Sequence, residues 1–281
     1  VGSEMCIRDS NIPYKTYPRK ELMQMKILAV GDLVGENGLD KLKQVLPKLK
    51  EEAQIDFVIV NAENVAGGMG ITFKNWNDLL KLPIDVVTMG NHTWAKKDIF
   101  QFINHPKLIR PANYSKGVPG KGYTICKCKD KNIVVMNLIG RTDMNVLSEN
   151  PFTVAENLVD KLSKEADIIV LDFHAEATAE KIAMRHFLDG KVRILFGTHT
   201  HVQTADEQIT EKGTAYITDL GMTGPINSVI GMGVEESVKR FVTSLPERYK
   251  LAEGSCMLNG CIFELNDQTG KAEKVERLLI K

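Results

Sequence analysis

The sequence predicts an α/β fold in which two sheets pack face to face with helices on both outer sides. Three observations carry this expectation. Strand-like apolar runs alternate with helical periods through the first half, the mark of a parallel sheet flanked by helices. The later strands follow one another like a meander, which calls for a second sheet. No repeat, low-complexity segment or linker divides residues 25–281, so one domain is expected there.

The elements follow in order. Residues 26–30 begin abruptly as a strand. Residues 39–53 read as a helix, because Leu39, Leu42, Val45, Leu46 and Leu49 line one face. Then come a strand at 55–60, a helix at 73–80, a strand at 84–89 and a helix at 95–102. Residues 123–128 and 132–138 read as a hairpin about Lys129-Asp130-Lys131. A helix at 153–166, a strand at 167–173, a helix at 177–188 and a strand at 192–196 continue the alternation. A short strand at 214–219 and a helix at 234–243 precede a strand pair, 255–264 and 272–279, turned by residues 266–270.

Residues 1–24 read differently. They lack an amphipathic period and carry Pro13 and Pro18, and Met25 looks like a native start. The opening, Val1 to Ser10, is similar to translated adapter sequence. The segment is expected to be a non-native or disordered N-terminal extension and is set apart from the fold.

Composition narrows the function. The 281 residues are 43% hydrophobic and 26% charged, and Lys+Arg and Asp+Glu number 36 each. That zero balance argues against a broad nucleic-acid or membrane-binding surface, so an anionic substrate needs a local site. No run of about 18 apolar residues marks a membrane span. No signal peptide is visible either. The five cysteines, odd in number and without a C-x-x-C, favour reduced thiols over a disulfide pair or zinc knot. These readings together point to the cytoplasm. A chain this long buries a core without structural metal, so any metal site is expected to serve function.

Chemistry collects at the strand ends. The first strand ends in Gly31-Asp32, the second in Asn61-Ala62-Glu63-Asn64 and the third in Gly90-Asn91-His92. Later strands end in Asp172-Phe173-His174 and Gly197-Thr198-His199-Thr200-His201. Each cluster has an ordinary alternative: Asp32 as a turn or cap, Glu63 and Asn64 as solvated loop residues, Asn91-His92 as an Asx-turn, His174 as a core histidine. Parallel strands put their carboxyl ends on one edge, so five such clusters should share one cleft. Carboxylate, amide oxygen and imidazole suit divalent first-row metals. About seven candidate ligands exceed one tetrahedral ion. A carboxylate bridging two cations suits phosphoester hydrolysis.

The motifs resemble those of the calcineurin-like metallophosphoesterases. Two departures from that pattern, Val34 where a histidine is usual and Glu63 where an aspartate bridges, match its YmdB-like branch. So do the stretches 90–94, 172–178, 197–206 and 218–225. The resemblance implies a four-layered α/β/β/α sandwich of the metallo-dependent phosphatase type. It implies two divalent ions, iron or manganese with zinc as an alternative. One would sit on Asp32, Glu63, Asn64 and His201, the other on Glu63, Asn91, His174 and His199. The implied activity is hydrolysis of small phosphodiesters such as 2′,3′-cyclic nucleotides, by in-line attack of a bridging hydroxide with His92 as general acid. Arg141, Thr200 and Thr223 are candidate substrate contacts, and Glu176 and Thr200 candidate supports for the imidazoles. Trp94 is as much a docking residue as a base-stacking one. RNA 3′ ends are a further candidate partner, and self-association a further expectation. Competing readings are a phosphomonoesterase or nucleotidase on the same metals, and a non-catalytic regulatory protein that binds nucleotide or RNA.

Overall fold

A computed structural model describes residues 24–281. Of the segment set apart above, residues 1–23 lie outside the described residues, and Gln24 is the first residue of strand β1. The strands are β1 (Gln24–Val30), β2 (Asp32–Leu33), β3 (Phe57–Asn61), β4 (Val86–Thr88), β5 (Tyr123–Cys128), β6 (Lys131–Ile139), β7 (Ile168–His174), β8 (Ile194–Thr198), β9 (Gln208–Ile209), β10 (Ala215–Ile217), β11 (Met222–Pro225), β12 (Cys256–Asn266) and β13 (Ala272–Ile280). The helices are α1 (Gly35–Glu52), α2 (Phe73–Leu80), α3 (Pro151–Leu162), α4 (Thr178–Leu188) and α5 (Val234–Thr243).

The first sheet runs β2-β11-β12-β1-β3-β4, with β13 also paired to β12. Its β1, β3 and β4 are parallel, while β12 is antiparallel to β1. The second sheet runs β5-β6-β7-β8-β10-β9. Period-two burial makes the layers. Ile27, Ala29, Phe57 and Ile59 from the first sheet meet Ile133, Val135, Ile168, Val170, Ile194 and Phe196 from the second. Their strand neighbours point outward: Leu28, Val30, Val58 and Val60 pack on Leu39, Leu42, Leu46 and Leu49 of α1 and on Trp76 and Leu79 of α2. On the other side Val134, Met136, Leu171 and Phe173 pack on α3 and α4. The fold is therefore a four-layered α/β/β/α sandwich.

Three expectations change. The later strands are not a meander: β6, β7, β8 and β10 are all parallel. Helices α3 and α4 supply the long crossovers that parallel pairing requires. The helix expected at 95–102 is a short 3₁₀ helix, Lys97–Gln101. The two- to four-residue strands β2, β9 and β11 have no counterpart in the sequence reading, because they are too short for a period and exist through tertiary pairing.

Candidate metal centre

The inter-sheet face turns polar at its carboxyl edge. The alternation Phe57, Ile59 continues into Asn61 and Glu63; Ile168, Val170 continues into Asp172 and His174; Ile194, Phe196 continues into Thr198. Both sheets thus aim polar side chains at one spot. Asp32, Glu63 and His174 are fully buried there, and Asn64 nearly so.

The predicted donors converge. His174 Nε2 lies 3.1 Å from Glu63 Oε1, 2.9 Å from Asn91 Oδ1 and 3.0 Å from His199 Nδ1. On the other side of Glu63, Asn64 Nδ2 lies 3.2 Å from Glu63 Oε1 and 3.0 Å from His201 Nε2. Asp32 accepts the His199 backbone N–H at Oδ2, 3.1 Å, and its Oδ1 is a buried oxygen with no hydrogen-bond partner among the described residues. All seven expected ligands are therefore in or against one cluster. His92 stands at its rim: its backbone N donates to Glu63 Oε2 at 2.9 Å, and its Nδ1 lies 2.7 Å from Asn64 Oδ1.

Hydrogen-bond direction decides what His174 offers. The single Thr198 hydroxyl hydrogen is directed to Asp172 Oδ1 at 2.7 Å, and Thr88 donates to the other oxygen at 2.5 Å. Thr198 Oγ1 is then an acceptor toward His174 Nδ1, 2.9 Å away, so Nδ1 carries hydrogen and Nε2 faces the cluster. There Nε2, Glu63 Oε1, Asn91 Oδ1 and His199 Nδ1 meet, and a cation, whether proton or metal ion, is what satisfies four electron-pair donors at once. The residues present fit a metal on this ground, and the orphaned Asp32 oxygen is a second one.

The electrostatics agree with a site short of positive charge. Burial opposes charge on His174, but the Glu63 carboxylate and its hydrogen bond, with Asp32 and Asp172, push its pKa up to about 9. Burial pushes Glu63 upward, yet His174 and His92 hold it well below the usual range. Asp32 is raised by burial, against the pull of His201 and His174. Burial, with the charge of His174 next, lowers His199 to about 3.

The histidine loop is strained. His199 has φ 105° and His201 φ 66°, conformations that favour glycine. His199 Nε2 lies 3.1 Å from Glu176 Oε2, and His201 Nδ1 lies 2.8 Å from Ile230 O. Glu176 thus touches an imidazole as expected, whereas Thr200 contributes its backbone N–H to Asp219 Oδ2 at 3.1 Å.

Of the substrate candidates, Thr200 sits between the two loop histidines, while Arg141 and Thr223 lie outside the cluster. Arg141 follows Gly140, whose N donates to His174 O, and lines a cavity of about 330 Å³ with Asn150, Phe152 and Glu180. Thr223 is fully buried in β11 with its hydroxyl toward Asn259 O, which leaves it no surface to offer a substrate. Trp94 stacks on Phe100 at 5.6 Å and leans on Tyr114, so its ring is largely engaged.

Several residues that support the cluster had no role in the sequence reading, Asp172 and Gly90 being named there only as parts of motifs. Asp172 and Thr88 were legible as polar residues continuing an apolar alternation. Lys181 was legible at helical spacing from Met184 and Leu188 on the buried face of α4. Gly90 had no such signal: a Cβ there would collide with Glu63 Oε2 and with the His174 ring.

Comparison with known proteins bears on this site. A family model described as YmdB-like protein matches residues 28–278. The chain is 49% identical over 257 residues to the 2′,3′-cyclic-nucleotide 2′-phosphodiesterase of Bacillus subtilis (strain 168), covering 91% of this chain and 97% of that one. The crystal structure of a novel phosphatase from Mycoplasma pneumoniae superposes with a TM-score of 0.88 at 38% identity, covering 92% of this chain and 94% of that one. A hypothetical protein from Thermus thermophilus gives a TM-score of 0.85 at 34% identity, covering 91% and 98%.

Proposed function

The chain belongs to the YmdB-like protein family, and from that premise we propose that it is a metal-dependent phosphodiesterase acting on 2′,3′-cyclic nucleotides. The observation that carries the proposal is the meeting of Glu63 Oε1, Asn91 Oδ1, His174 Nε2 and His199 Nδ1 at one point, with the His174 hydrogen committed elsewhere. We assign these four residues to one divalent ion. Asp32, Glu63, Asn64 and His201 are assigned to a second, with Glu63 shared. Asn64 turns its amide nitrogen toward Glu63 and His201, so its role as a ligand requires the amide to turn over and present oxygen. The mixed oxygen and imidazole donors favour iron or manganese and admit zinc.

Divalent cations in such a cradle supply Lewis-acid stabilisation of the phosphoryl group and a nucleophile from water at neutral pH. The protein's own part is to orient and to move a proton. The Asp172–Thr198–His174 chain fixes one imidazole. Glu63 Oε2 accepts the backbone N–H of His92 and sets the ring at the rim. Once the Asn64 amide has turned over, its Nδ2 faces His92 Nδ1, which then accepts, so the ring carries its hydrogen on Nε2 and can protonate the leaving ribose oxygen. Opening the bond to O2′, as the name of the Bacillus relative describes, leaves the phosphate on the 3′ oxygen.

Finer points belong to the same proposal. A single nucleotide or the 3′ end of an RNA carries the same cyclic diester, and Arg141 beside its cavity is the candidate for the longer substrate. Self-association is supported by α5, whose Val238, Phe241 and Val242 are 51%, 77% and 77% exposed. No helix among the described residues is long and apolar enough to cross a membrane, and a cytoplasmic setting suits the free cysteines. The test is a chelator-stripped enzyme supplied with Fe²⁺, Mn²⁺ or Zn²⁺ and given 2′,3′-cyclic AMP and 3′-AMP. The expected result is metal-dependent conversion of the diester to 3′-AMP. Hydrolysis of the monoester alone would overturn the phosphodiesterase reading.

A further inference from the structure

Lys181 of α4 and Asp219, just beyond β10, form a fully buried ion pair, Nζ to Oδ2 2.6 Å. Neither residue is among the donors of the metal cluster. Burying two charges costs desolvation that their attraction scarcely offsets, and an apolar pair of similar volume would hold α4 on the sheet as well or better. What an apolar pair lacks is direction. Asp219 Oδ2 also accepts from the backbone N of Thr200 at 3.1 Å, the residue between the two histidines. Its Oδ1 accepts from Gly221 N at 2.8 Å. Gly221 O in turn accepts from Asp32 N at 3.1 Å, and Leu220 N donates to Gly197 O at 2.9 Å. One carboxylate therefore ties the histidine loop to the segment that seats Asp32.

The loop needs such a tie. His199 and His201 both hold positive φ, a conformation that non-glycine residues leave unless their surroundings over-determine it. Space for the lysine is also built in. A Cβ on Gly197 would collide with the Thr218 carbonyl oxygen and meet Lys181 Cδ and Cε at 2.9 Å, so glycine there lets the neighbouring backbone and the lysine stem both pack close. A neutral partner of equal size at 181 would leave the Asp219 carboxylate buried without its counter-charge.

We propose that Lys181 and Asp219 are positioning residues whose buried pair clamps the 199–201 loop in its strained form, and so sets metal affinity more than fold stability. The inference rests on the metal site proposed above but not on the identity of the substrate. The test uses the full chain, stripped of metal and titrated with Mn²⁺ alone by calorimetry and by chelator competition. Thermal unfolding of the metal-free form is followed in parallel. The variants are Lys181→Met/Asp219→Asn together, which removes both charges and keeps one acceptor oxygen at 219, and Asp219→Asn alone. The double variant is expected to unfold within a few degrees of the parent, yet bind Mn²⁺ roughly 10- to 100-fold more weakly, the loss usual when a ligand's support is removed. Asp219→Asn keeps the side chain's size and one acceptor oxygen, and is expected to lose affinity by about tenfold. Undiminished Mn²⁺ affinity in the double variant overturns the clamp. Should that variant fail to fold, Asp219→Asn decides by the same criterion. A parent protein that binds no Mn²⁺ overturns the metal site, and the clamp with it.

Discussion

At the scale of single residues, function depends on which lone pair or hydrogen each side chain turns toward the cluster. His92 and His174 are both histidines at strand ends, but their surroundings separate them. His174 is fully buried, with one nitrogen committed to Thr198 and the other to the donor cluster, whereas the His92 side chain is 32% exposed. Replacing His92 by alanine is expected to leave Mn²⁺ binding intact and lower kcat by roughly 10²–10⁴. Calorimetry alongside steady-state kinetics checks both halves. His174 also makes a pH prediction for the metal-free protein. Its pKa is raised from 6.5 to about 9, so its contribution is fully present below about 6.5 and is lost as pH rises through about 9. Urea unfolding of the stripped protein is expected to show stability declining across that window, and His174→Gln is expected to flatten the decline. The two histidines were legible as candidate site residues from their motif positions. The Thr198–Asp172 relay behind His174 was not, because hydrogen-bond direction depends on neighbours brought from other strands.

At the scale of elements, period and capping explain most of what forms. Helix α1 buries Leu39, Leu42, Leu46 and Leu49 at helical spacing, as the sequence predicts, though it starts earlier, at Gly35. Helix α2 begins with a reciprocal box: the Thr72 side chain accepts from Asn75 N, and the Asn75 side chain accepts from Thr72 N. Thr72→Ala is expected to cost about 1 kcal/mol, measured as a shift in the denaturant midpoint at unchanged slope. Strands β2 and β11 show the limit of local reading. They pair Met222 with Asp32 and Thr223 with Leu33, and neither segment carries enough residues to show a period. That pairing seats Asp32, so an element invisible to periodicity holds a candidate ligand in place. The residues 95–102 went the other way, where apolar positions compatible with an α-helix form only a five-residue 3₁₀ helix.

At the scale of the whole molecule, the two sheets meet at their carboxyl edges and the site draws on both. Asp32, Glu63, Asn64 and Asn91 begin or follow strands of the first sheet, while His174, His199 and His201 end or follow strands of the second. Metal bound between the sheets is linked to their association, since the unfolded chain has no such cradle. Adding Mn²⁺ at 100 times its Kd to the stripped protein is expected to stabilise it by about 2.7 kcal/mol per site. Thermal unfolding with and without chelator checks this, and a Glu63→Ala variant is expected to show no metal-dependent shift.

By itself, the sequence determined the α/β class, the four layers and the positions of the candidate ligands, because periodicity and strand-end motifs are local properties written in order along the chain. Tertiary structure decided the parallel order of the second sheet, the tautomer of His174 and the buried partners Asp172, Lys181 and Asp219. Asp172 and Asn61 lie 111 positions apart in sequence, and Asp32 and His199 lie 167 apart, yet both pairs are in hydrogen-bond contact. Such contacts, and the direction of the hydrogens within them, arise when the two sheets close on each other, and no local pattern encodes them.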